Sequence, residues 1–334
     1  MRDTGLVSII VPVFNGLPFL KEALESAINQ TYTNLEIIVI DDGSTDGSGV
    51  TCDQYAAKDA RLRIIHQENR GLSAARNAGL DIMSGSAVAF LDADDAYSSD
   101  YIESMLSVMN RETVDIVTCK FALYHTTGKL GETEPESIKP KIQSGKYNRR
   151  NILQSLVNNE LNYGIWNKLY SSSLWEEIRF PVGHVYEETD TTYRLFDLCE
   201  NVYAIDKVLY MYRKHKGTIT NTINKKTISD WLLARSHFEV YVEERVPSLF
   251  STSQLNAIRQ SRLRRMMQYY MIIRAKGEDD NDFAKELRGM ILSLGKQIGR
   301  CSARMEICFW MIRFCPNVLK LLLPLCLTLG MVKY

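Results

Sequence analysis

Four short apolar runs near the amino terminus place the strongest constraint on the fold. The first is Val7–Val13 (VSIIVPV), and similar runs lie at residues 35–40, 62–65 and 87–91. Each is rich in apolar and β-branched residues, is followed by polar residues, and is separated from the next run by a helix-like segment. Strands that alternate with helices in this way form βαβ units on a largely parallel sheet covered on both faces. We therefore predict an α/β fold with a mainly parallel sheet.

Polar residues follow these runs where each predicted strand ends. Asn15 follows the first run, Asp41 and Asp42 begin DDGSTDGS, and Asp92 and Asp94 lie in LDADD. In open α/β sheets, ligands bind beyond the carboxyl ends of the strands. Four neighbouring carboxylates raise one another's pKa values unless a cation or a hydrogen-bond donor is present. The pattern predicts a ligand site at this edge of the sheet.

The segment AVAFLDADD, residues 87–95, predicts a metal site. Val88 and Phe90 fit a buried strand, and side chains at i and i+2 of an extended segment point the same way. Asp92 and Asp94 would therefore face one site. Two carboxylates suit Mg²⁺ or Mn²⁺, which usually bind through one or two carboxylates plus substrate phosphates. An isolated Asp-x-Asp pair is more often a solvated acidic turn; the neighbouring strand ends favour the metal.

Four blocks, in this order and spacing, resemble the family 2 glycosyltransferases. They are VSIIVPVFN at residues 7–15, EIIVIDDGSTDGS at 36–48, NRGLSAARNAGL at 69–80 and FLDADD at 90–95, and parts of residues 165–196 also fit. The resemblance implies a GT-A fold, which is a Rossmann-like mixed, mainly parallel sheet flanked by helices. It covers residues 1–220, expected to be the nucleotide-sugar-binding and catalytic domain. Residues 221–334 are expected to form a helical, basic C-terminal extension.

The resemblance also implies how a nucleotide-sugar donor is held. Arg76 resembles the arginine that reaches the base or phosphates, and Asp92 and Asp94 resemble the DxD pair, whose second aspartate usually contacts the metal. The residues that would hold the base and ribose are the strand-end residues Pro12, Val13 and Asn15, with Asp41 or Asp42.

Ordinary structural roles stay open for Asp42, for Arg76 and for the neighbouring Ser44. Asp42 and Ser44 precede a helix-like segment, where DGSTD is also good capping and turn chemistry. Both roles are compatible, because a helix N-terminus is itself an anion site. Arg76 also fits a solvated helix arginine, since arginine is mostly exposed in proteins.

The resemblance implies a general base on the acceptor side. Relatives usually carry Glu-Asp at the start of the helix after an RFP segment, and this chain has Glu187 and Glu188 there. An inverting transferase needs a base to take the proton of the acceptor hydroxyl. Glu188 is the candidate, with Glu187 or Asp190 as alternatives. The same acidic cluster would also stabilise a helix start through the helix dipole.

A later segment, YRKHKGTIT, resembles the part of these enzymes that closes over the donor pyrophosphate. Its candidate donor-binding residues are Arg213, His215 and Thr218. A lone histidine is more often structural, so for His215 both roles stay open.

Charge is distributed unevenly along the chain, although the net charge is zero. Residues 1–220 hold 22 Lys and Arg against 30 Asp and Glu, whereas residues 221–334 hold 18 against 10. A basic helix-like run in the second half would suit an anionic glycan, a lipid pyrophosphate or a membrane, or is simply a solvated face. No nucleic-acid-binding motif accompanies it. The run comprises Arg259, Arg262, Arg264 and Arg265, followed by Tyr269 and Tyr270.

The seven cysteines include no Cys-x-x-Cys pair, which argues against a disulfide framework or a zinc site and fits a reducing cytoplasm. Cys301, Cys308 and Cys315 recur every seven residues, as expected for packing along one helical stripe. Val7–Val13 is too short for a signal peptide, so we expect the active site to face the cytosol.

The carboxyl end, residues 305–332, is largely apolar but is interrupted by charged residues, Pro316 and Pro324. Its longest uncharged stretch, residues 321–332, is too short to span a bilayer, which takes about 20 residues. The pattern predicts an amphipathic helix in the membrane interface. The alternative is a helix packed on the globular domain or on a partner subunit.

The sequence thus predicts a metal-dependent (Mn²⁺ or Mg²⁺) inverting glycosyltransferase at the cytoplasmic face of the plasma membrane. Its donor is expected to be a nucleotide diphosphate sugar, uridine-linked, and its acceptor a hydroxyl of a surface glycan or a lipid-linked oligosaccharide precursor. A nucleotidyltransferase would need a Gly- and basic-rich phosphate loop after the first strand, where this chain has VFNGLPF. A non-catalytic nucleotide-sugar-binding membrane scaffold stays open, as does a homo-oligomer. No G-x-G-x-x-G follows the first strand, which disfavours a dinucleotide oxidoreductase.

Overall fold

The structure, a computed structural model, describes residues 5–126, 128–131, 134–215, 223–276, 281–298 and 303–314. Thr218, Cys301, Cys315 and residues 321–332, all singled out above, lie outside the described residues. The chain divides into two compact units, Met1–Thr218 and Ile219–Tyr334.

The first unit alternates strands and helices. Its strands are β1 (Val7–Val13), β2 (Leu35–Asp41), β3 (Leu62–His66), β4 (Ala87–Phe90), β5 (Ala96–Tyr97), β6 (Ile116–Tyr124), β7 (Ser137–Lys139), β8 (Gly145–Asn148), β9 (Lys168–Ser171) and β10 (Asn201–Arg213). Its helices are α1 (Leu17–Ile28), α2 (Ser48–Ala56), α3 (Leu72–Ile82), α4 (Tyr101–Glu112), α5 (Arg149–Val157) and α6 (Glu187–Leu198). A 3₁₀ turn at Ser172–Trp175 follows β9.

The strands form one mixed, mainly parallel sheet in the order β3-β2-β1-β4-β9-β6-β10-β5. Strands β3, β2, β1 and β4 are parallel, and β9 lies antiparallel between β4 and β6. Val13 pairs with Asp41, and Asp41 with His66, so the carboxyl ends of three strands lie at the same level. The predicted α/β fold, with its polar strand ends at one edge, is confirmed.

The core explains why the apolar runs are continuous. Every residue of β1 is buried, because helices cover both faces of this part of the sheet. Helix α3 packs closely on β1, since a Cβ at Gly79 would lie 2.6 Å from the Ile10 side chain. This close approach fixes the position of α3, which carries Arg76.

The second unit is helical. It contains α7 (Lys225–Glu244), α8 (Thr252–Lys276), α9 (Asn281–Ile298) and α10 (Ala303–Phe314), with a 3₁₀ turn at Pro247–Leu249. Leu287, Ile291 and Ile312 are completely buried at its centre. Within the described ranges, no helix is long and apolar enough to cross a membrane.

The predicted basic run lies on α8 and is partly neutralised. Arg262 pairs with Glu239 at 3.0 Å and Arg259 with Glu243 at 2.5 Å, and both glutamates come from α7. Arg264 and Arg265 are exposed. Periodicity alone does not distinguish an arginine that joins two helices from one that faces solvent.

Candidate active site

The loops after β1 and β2 are joined by Asn15. Its backbone N–H donates to Ser44 Oγ at 3.0 Å, and its Oδ1 accepts from the Thr45 N–H at 2.8 Å. Asn15 has φ 50°, a left-handed conformation that asparagine tolerates better than most residues. Pro12 and Val13 are buried at the end of β1, just before Asn15 in the chain. The predicted base and ribose residues therefore meet at one edge.

Asp41 and Asp42 hold the neighbouring loops. Asp41 accepts from the Ser44 N–H at 3.1 Å and lies 2.8 Å from His66 Nδ1. The hydrogen bond to Asp41, followed by that to Asp53, raises the pKa of His66.

Asp42 is 2% exposed and accepts from the Gln67 side chain at 2.6 Å and from the Arg70 and Gly71 N–H groups at 3.0 and 2.8 Å. Neither Asp42 nor Ser44 caps α2, whose N-cap is Gly47 with no side-chain hydrogen bond. The capping interpretation is thus replaced by contacts that shape the site edge.

Arg76 is buried rather than solvated, with 2% exposure. One terminal nitrogen donates to Asp92 Oδ1 at 2.7 Å and the other to Glu187 Oε1, while its Nε has no hydrogen-bond partner among the described residues. Burial opposes the charged form of Arg76, but Asp92 and Glu187 outweigh it and raise the pKa. The guanidinium also lies 5.5 Å from the centre of the Phe180 ring.

The LDADD segment turns immediately after β4 ends at Phe90. The Asp95 N–H donates to the Asp92 carbonyl at 3.1 Å, which closes the turn. Asp92 contacts Arg76, whereas Asp94 Oδ2 lies 3.0 Å from His215 Nε2. The rule that side chains at i and i+2 point the same way does not apply to Asp92 and Asp94, because the chain is no longer extended after Phe90.

Asp95, which the sequence analysis did not select, turns inward. It is 1% exposed and accepts from the Tyr210 hydroxyl at 2.6 Å and the Arg213 N–H at 2.7 Å. Burial, followed by the charges of Asp94 and Asp92, raises its pKa. Asp95 therefore anchors the turn to β10 and leaves the two preceding aspartates at the site.

The donor atoms around this turn fit a divalent cation. Asp92 and Asp94 offer hard oxygen ligands, and the 3.0 Å between Asp94 Oδ2 and His215 Nε2 is close enough for both to reach one ion. Burial and the charge of Asp92 raise the pKa of Asp94. No group of three or more His, Cys, Asp or Glu in the described part of the chain could hold a metal. Cations of this class normally complete their coordination with water and substrate phosphates.

The acceptor-side candidates begin helix α6. Glu187 is 4% exposed and pairs with Arg76. Glu188 is partly buried, and burial together with the charge of Glu187 raises its pKa to about 8. Asp190 accepts from the Tyr193 hydroxyl at 3.1 Å. Glu187 is thus committed to Arg76, and Glu188 has no ion-pair partner among the described side chains.

Arg213 points into the protein. It is 1% exposed, and its guanidinium donates to the Asp94 carbonyl at 2.8 Å, to the Gly128 carbonyl and to Glu22 of α1. The guanidinium also lies 4.4 Å from the centre of the Phe19 ring. Arg213 therefore lies buried against the backbone of the LDADD turn and does not face a donor, whereas His215 lies beside the Asp94 side chain.

The sequence analysis also passed over Lys168, which is completely buried in β9. Its ammonium donates to the Asn162 carbonyl at 3.4 Å, the Gly164 carbonyl, and Asn167 Oδ1 at 2.9 Å. Burial lowers its pKa to about 7. The available signal was the pair Asn167-Lys168 inside the otherwise apolar run IWNKLY, since a buried lysine needs several acceptors.

Comparisons with known proteins agree with this architecture. The family model for glycosyl transferase family 2 matches residues 8–178. Glycosyltransferase GlyA of Streptococcus pneumoniae serotype 4 is 34% identical over 66% of this chain, a match that spans only 32% of GlyA. EpsH of Bacillus subtilis, described as a glycosyltransferase, is 34% identical over 72% of this chain and 70% of its own length.

A solved structure with a similar fold is that of S. aureus TarS residues 1–349 in complex with UDP-GlcNAc. The TM-score is 0.69 at 16% identity, over 99% of this chain and 93% of that one. At this identity the likeness establishes the GT-A fold. The sequence matches show that the chain belongs to glycosyl transferase family 2 and is a glycosyltransferase.

Proposed function

We propose that the chain is a metal-dependent inverting hexosyltransferase that uses a UDP-sugar. The observation that carries the proposal is the buried Arg76 guanidinium, which contacts Asp92 of the LDADD turn and Glu187 of α6. Through this one side chain, the carboxylates expected near the diphosphate lie next to Glu188, which is expected near the acceptor. A single displacement needs these two functions on opposite sides of one anomeric carbon.

On the donor side, the strand-end residues Pro12, Val13 and Asn15 would hold the base and ribose, with Asp41 or Asp42 as acceptor. A carboxylate has about four lone-pair sites, and Asp42 uses three of them on the loop that precedes α3. Asp42 thus positions this loop while one site stays available for a ligand. The solved UDP-GlcNAc complex of TarS supports a uridine-linked donor.

Asp94 and His215 would hold Mn²⁺ or Mg²⁺ together with the donor diphosphate, with Asp92 beside them. Such a cation, when bound, neutralises the charge that develops on the departing diphosphate. Asp92 is fixed by Arg76 and Asp94 lies against His215, so both carboxylates are oriented in advance. Orientation in advance is what makes electrostatic stabilisation of a leaving group effective.

Glu188 would act as the general base. It takes the proton of the acceptor hydroxyl while that oxygen bonds to the anomeric carbon and the bond to the diphosphate breaks, which inverts the configuration. A base is most effective when its pKa lies near the working pH, and burial beside Glu187 raises the pKa of Glu188 to about 8. Asp190 is the weaker candidate, because it already accepts from Tyr193.

The acceptor we propose is a hydroxyl of a surface glycan or of its lipid-linked oligosaccharide precursor, at the cytoplasmic face of the plasma membrane. The similarity to GlyA and EpsH supports a bacterial glycosyltransferase setting. Residues 1–220 would carry the transfer reaction. Residues 221–334 would supply membrane association or a homo-oligomeric contact.

A thermal-shift panel tests the donor and the metal together. UDP-, GDP- and TDP-sugars are added with Mn²⁺, with Mg²⁺ or with a chelator. A donor that binds only the folded state must raise the melting temperature, so we expect a rise with UDP-sugars and metal. A rise that is equal with a chelator contradicts metal dependence, and a larger rise with another nucleotide contradicts the uridine assignment.

A further inference from the structure

Helix α10 is apolar on two opposite faces. Met305, Cys308 and Ile312 are buried in the core of the second unit. On the outer side, Ile307, Trp310 and Phe314 are 54%, 56% and 58% exposed. Their spacing of three and four residues places them on one face, called here the outer α10 face. The helix also carries the exposed charges Glu306 and Arg313 beside this face. An exposed apolar stripe of this kind, flanked by charged residues, is typical of a contact surface.

The outer α10 face is held rigidly. Arg288 of α9 donates from Nε to the Ile312 carbonyl at 2.9 Å and from a terminal nitrogen to the Arg313 carbonyl at 2.7 Å. These bonds give two backbone carbonyls of α10 a donor from the neighbouring helix. The exposed rings therefore lie on a helix that is anchored to α9.

Composition indicates what the face contacts. The Trp310 and Phe314 rings lie 5.6 Å apart, and the Arg313 guanidinium lies 4.9 Å from the centre of the Phe314 ring. Tryptophan with arginine is typical of the membrane interface, where the ring enters the headgroup region and the cation stays near phosphate.

The sequence after Glu306 extends this character. Residues 307–334 contain no Asp or Glu, and their basic residues are Arg313, Lys320 and Lys333. An anionic lipid surface complements this charge. In a symmetric contact, a second copy would instead bring a segment of the same net positive charge.

We infer that the outer α10 face docks on the headgroup region of an anionic lipid bilayer, with Trp310 as its main apolar anchor. This inference rests on the membrane association proposed for residues 221–334, and it is tested without the transfer reaction. It assigns membrane contact to particular residues of a folded helix, and not only to the apolar sequence that follows.

Tryptophan emission on vesicles tests the placement of Trp310. The full-length protein is mixed with phosphatidylcholine vesicles with and without phosphatidylglycerol, and with brominated lipids as quenchers. The chain has four tryptophans, so the Trp310→Phe variant provides the signal to subtract. We expect a blue shift and quenching of the Trp310 signal on anionic vesicles. Vesicle binding with no change in this signal would overturn the inference, because the following segment would then bind alone.

Flotation provides the second readout. Trp310→Glu removes apolar area and adds repulsion from anionic lipid, so recovery in the lipid fraction should fall about tenfold or more. Val240→Glu is the matched control, because Val240 is 50% exposed in the same unit and is not on this face; we expect a change under about twofold. Equal recovery of the two variants would overturn the inference. So would a vesicle-independent dimer that Trp310→Glu dissociates, since the face would then join two copies. Thermal melts check that both variants stay folded.

Discussion

Arg76 and Arg213 are both buried beside the LDADD turn, yet they contact different kinds of group. Arg76 lies between two carboxylates, Asp92 and Glu187, and its Nε has no hydrogen-bond partner in the described part of the chain. Arg213 contacts two backbone carbonyls, the Glu22 carboxylate and the Phe19 ring. A charge placed among carboxylates tunes ionisation, whereas a charge placed on backbone carbonyls fixes a loop. We therefore expect the Arg76 side of the turn to govern chemistry and the Arg213 side to govern stability.

The largest effect is expected at the proposed base. Glu188→Gln keeps size and helix propensity but removes the proton acceptor, so transfer should fall about 10²- to 10⁴-fold. Donor affinity should barely change, because the base contacts the acceptor hydroxyl. Steady-state transfer with calorimetric donor binding separates the two.

Three further variants locate the base. Glu188→Asp restores the residue usual in relatives, and partial activity there would mean that side-chain length is matched to this pocket. If Glu188→Gln transfers normally while Glu187→Gln or Asp190→Asn does not, the base is a neighbouring residue. Normal transfer by Glu188→Gln, Glu187→Gln and Asp190→Asn alike would remove the start of α6 from the acceptor side.

The second effect is expected at Asp94. If this carboxylate helps to hold the cation at the diphosphate, Asp94→Asn should lower transfer about 10²- to 10³-fold, the usual cost of losing electrostatic stabilisation of a developing charge. The fold should persist, since the inward-facing Asp95 still anchors the turn. Transfer assays with a Mn²⁺ titration measure the loss, and unchanged melting serves as the control. Full activity in this variant, or in excess chelator, would contradict metal dependence.

The sequence predicts the strands and the edge that carries the site better than it predicts which side chains contact one another. Continuous apolar runs such as Val7–Val13 fix both the strand and its burial on two faces. The site edge follows from the rule for parallel strands, and Asn15, Asp41 and Asp42 do meet there. These features depend on local composition and on one topological rule.

Long-range pairing is what the sequence does not supply. Arg76 and Glu187 are 111 residues apart, and Tyr210 and Asp95 are 115 apart. Nothing in the LDADD sequence distinguishes the inward-facing Asp95 from Asp92 and Asp94. The strand ends at Phe90, so strand alternation does not predict which carboxylate turns inward. Likewise, the residues around Arg262 do not predict its ion pair, because the partner Glu239 comes from another helix, α7.

The third effect concerns stability at Arg213. Arg213→Met keeps much of the volume but leaves the Glu22 carboxylate and two carbonyls without their donor. Breaking a buried pair from one side costs about 3–5 kcal/mol, so the free energy of unfolding should fall by about 3 kcal/mol. Urea denaturation measures it.

Arg149→Met is the matched control for this loss. Arg149 pairs with Asp197, and the two side chains are 47% and 26% exposed, so we expect about 0–1 kcal/mol there. Equal losses in the two variants would mean that Arg213 contributes no more than a surface arginine. The contrast with Arg76 would then fail.

The smallest effect is a shift in pH dependence, which tests whether Glu187 and Arg76 tune Glu188. A base works only when deprotonated, so kcat/KM should rise with pH up to about 8, where burial and Glu187 place the pKa of Glu188. Glu187→Gln removes the negative charge next to Glu188 and leaves the positive charge of Arg76 with only the Asp92 carboxylate as an ion-pair partner among the described residues. Both changes favour the carboxylate form, so the rising limb should move to lower pH. Asp190→Asn is the control and should leave the limb in place.

Stability gives a readout of the same group that does not depend on transfer. The pKa of Glu188 is raised from 4.5 to about 8 on folding, so between these values the folded protein holds a proton that the unfolded chain releases. The contribution of this group to the free energy of unfolding therefore falls as pH rises through that window. Glu188→Gln cannot titrate, so its unfolding free energy should decline less with pH than that of the wild type. Parallel slopes for the two proteins would mean that the Glu188 carboxyl titrates at its ordinary pKa, and a rising limb near pH 8 would then belong to another group.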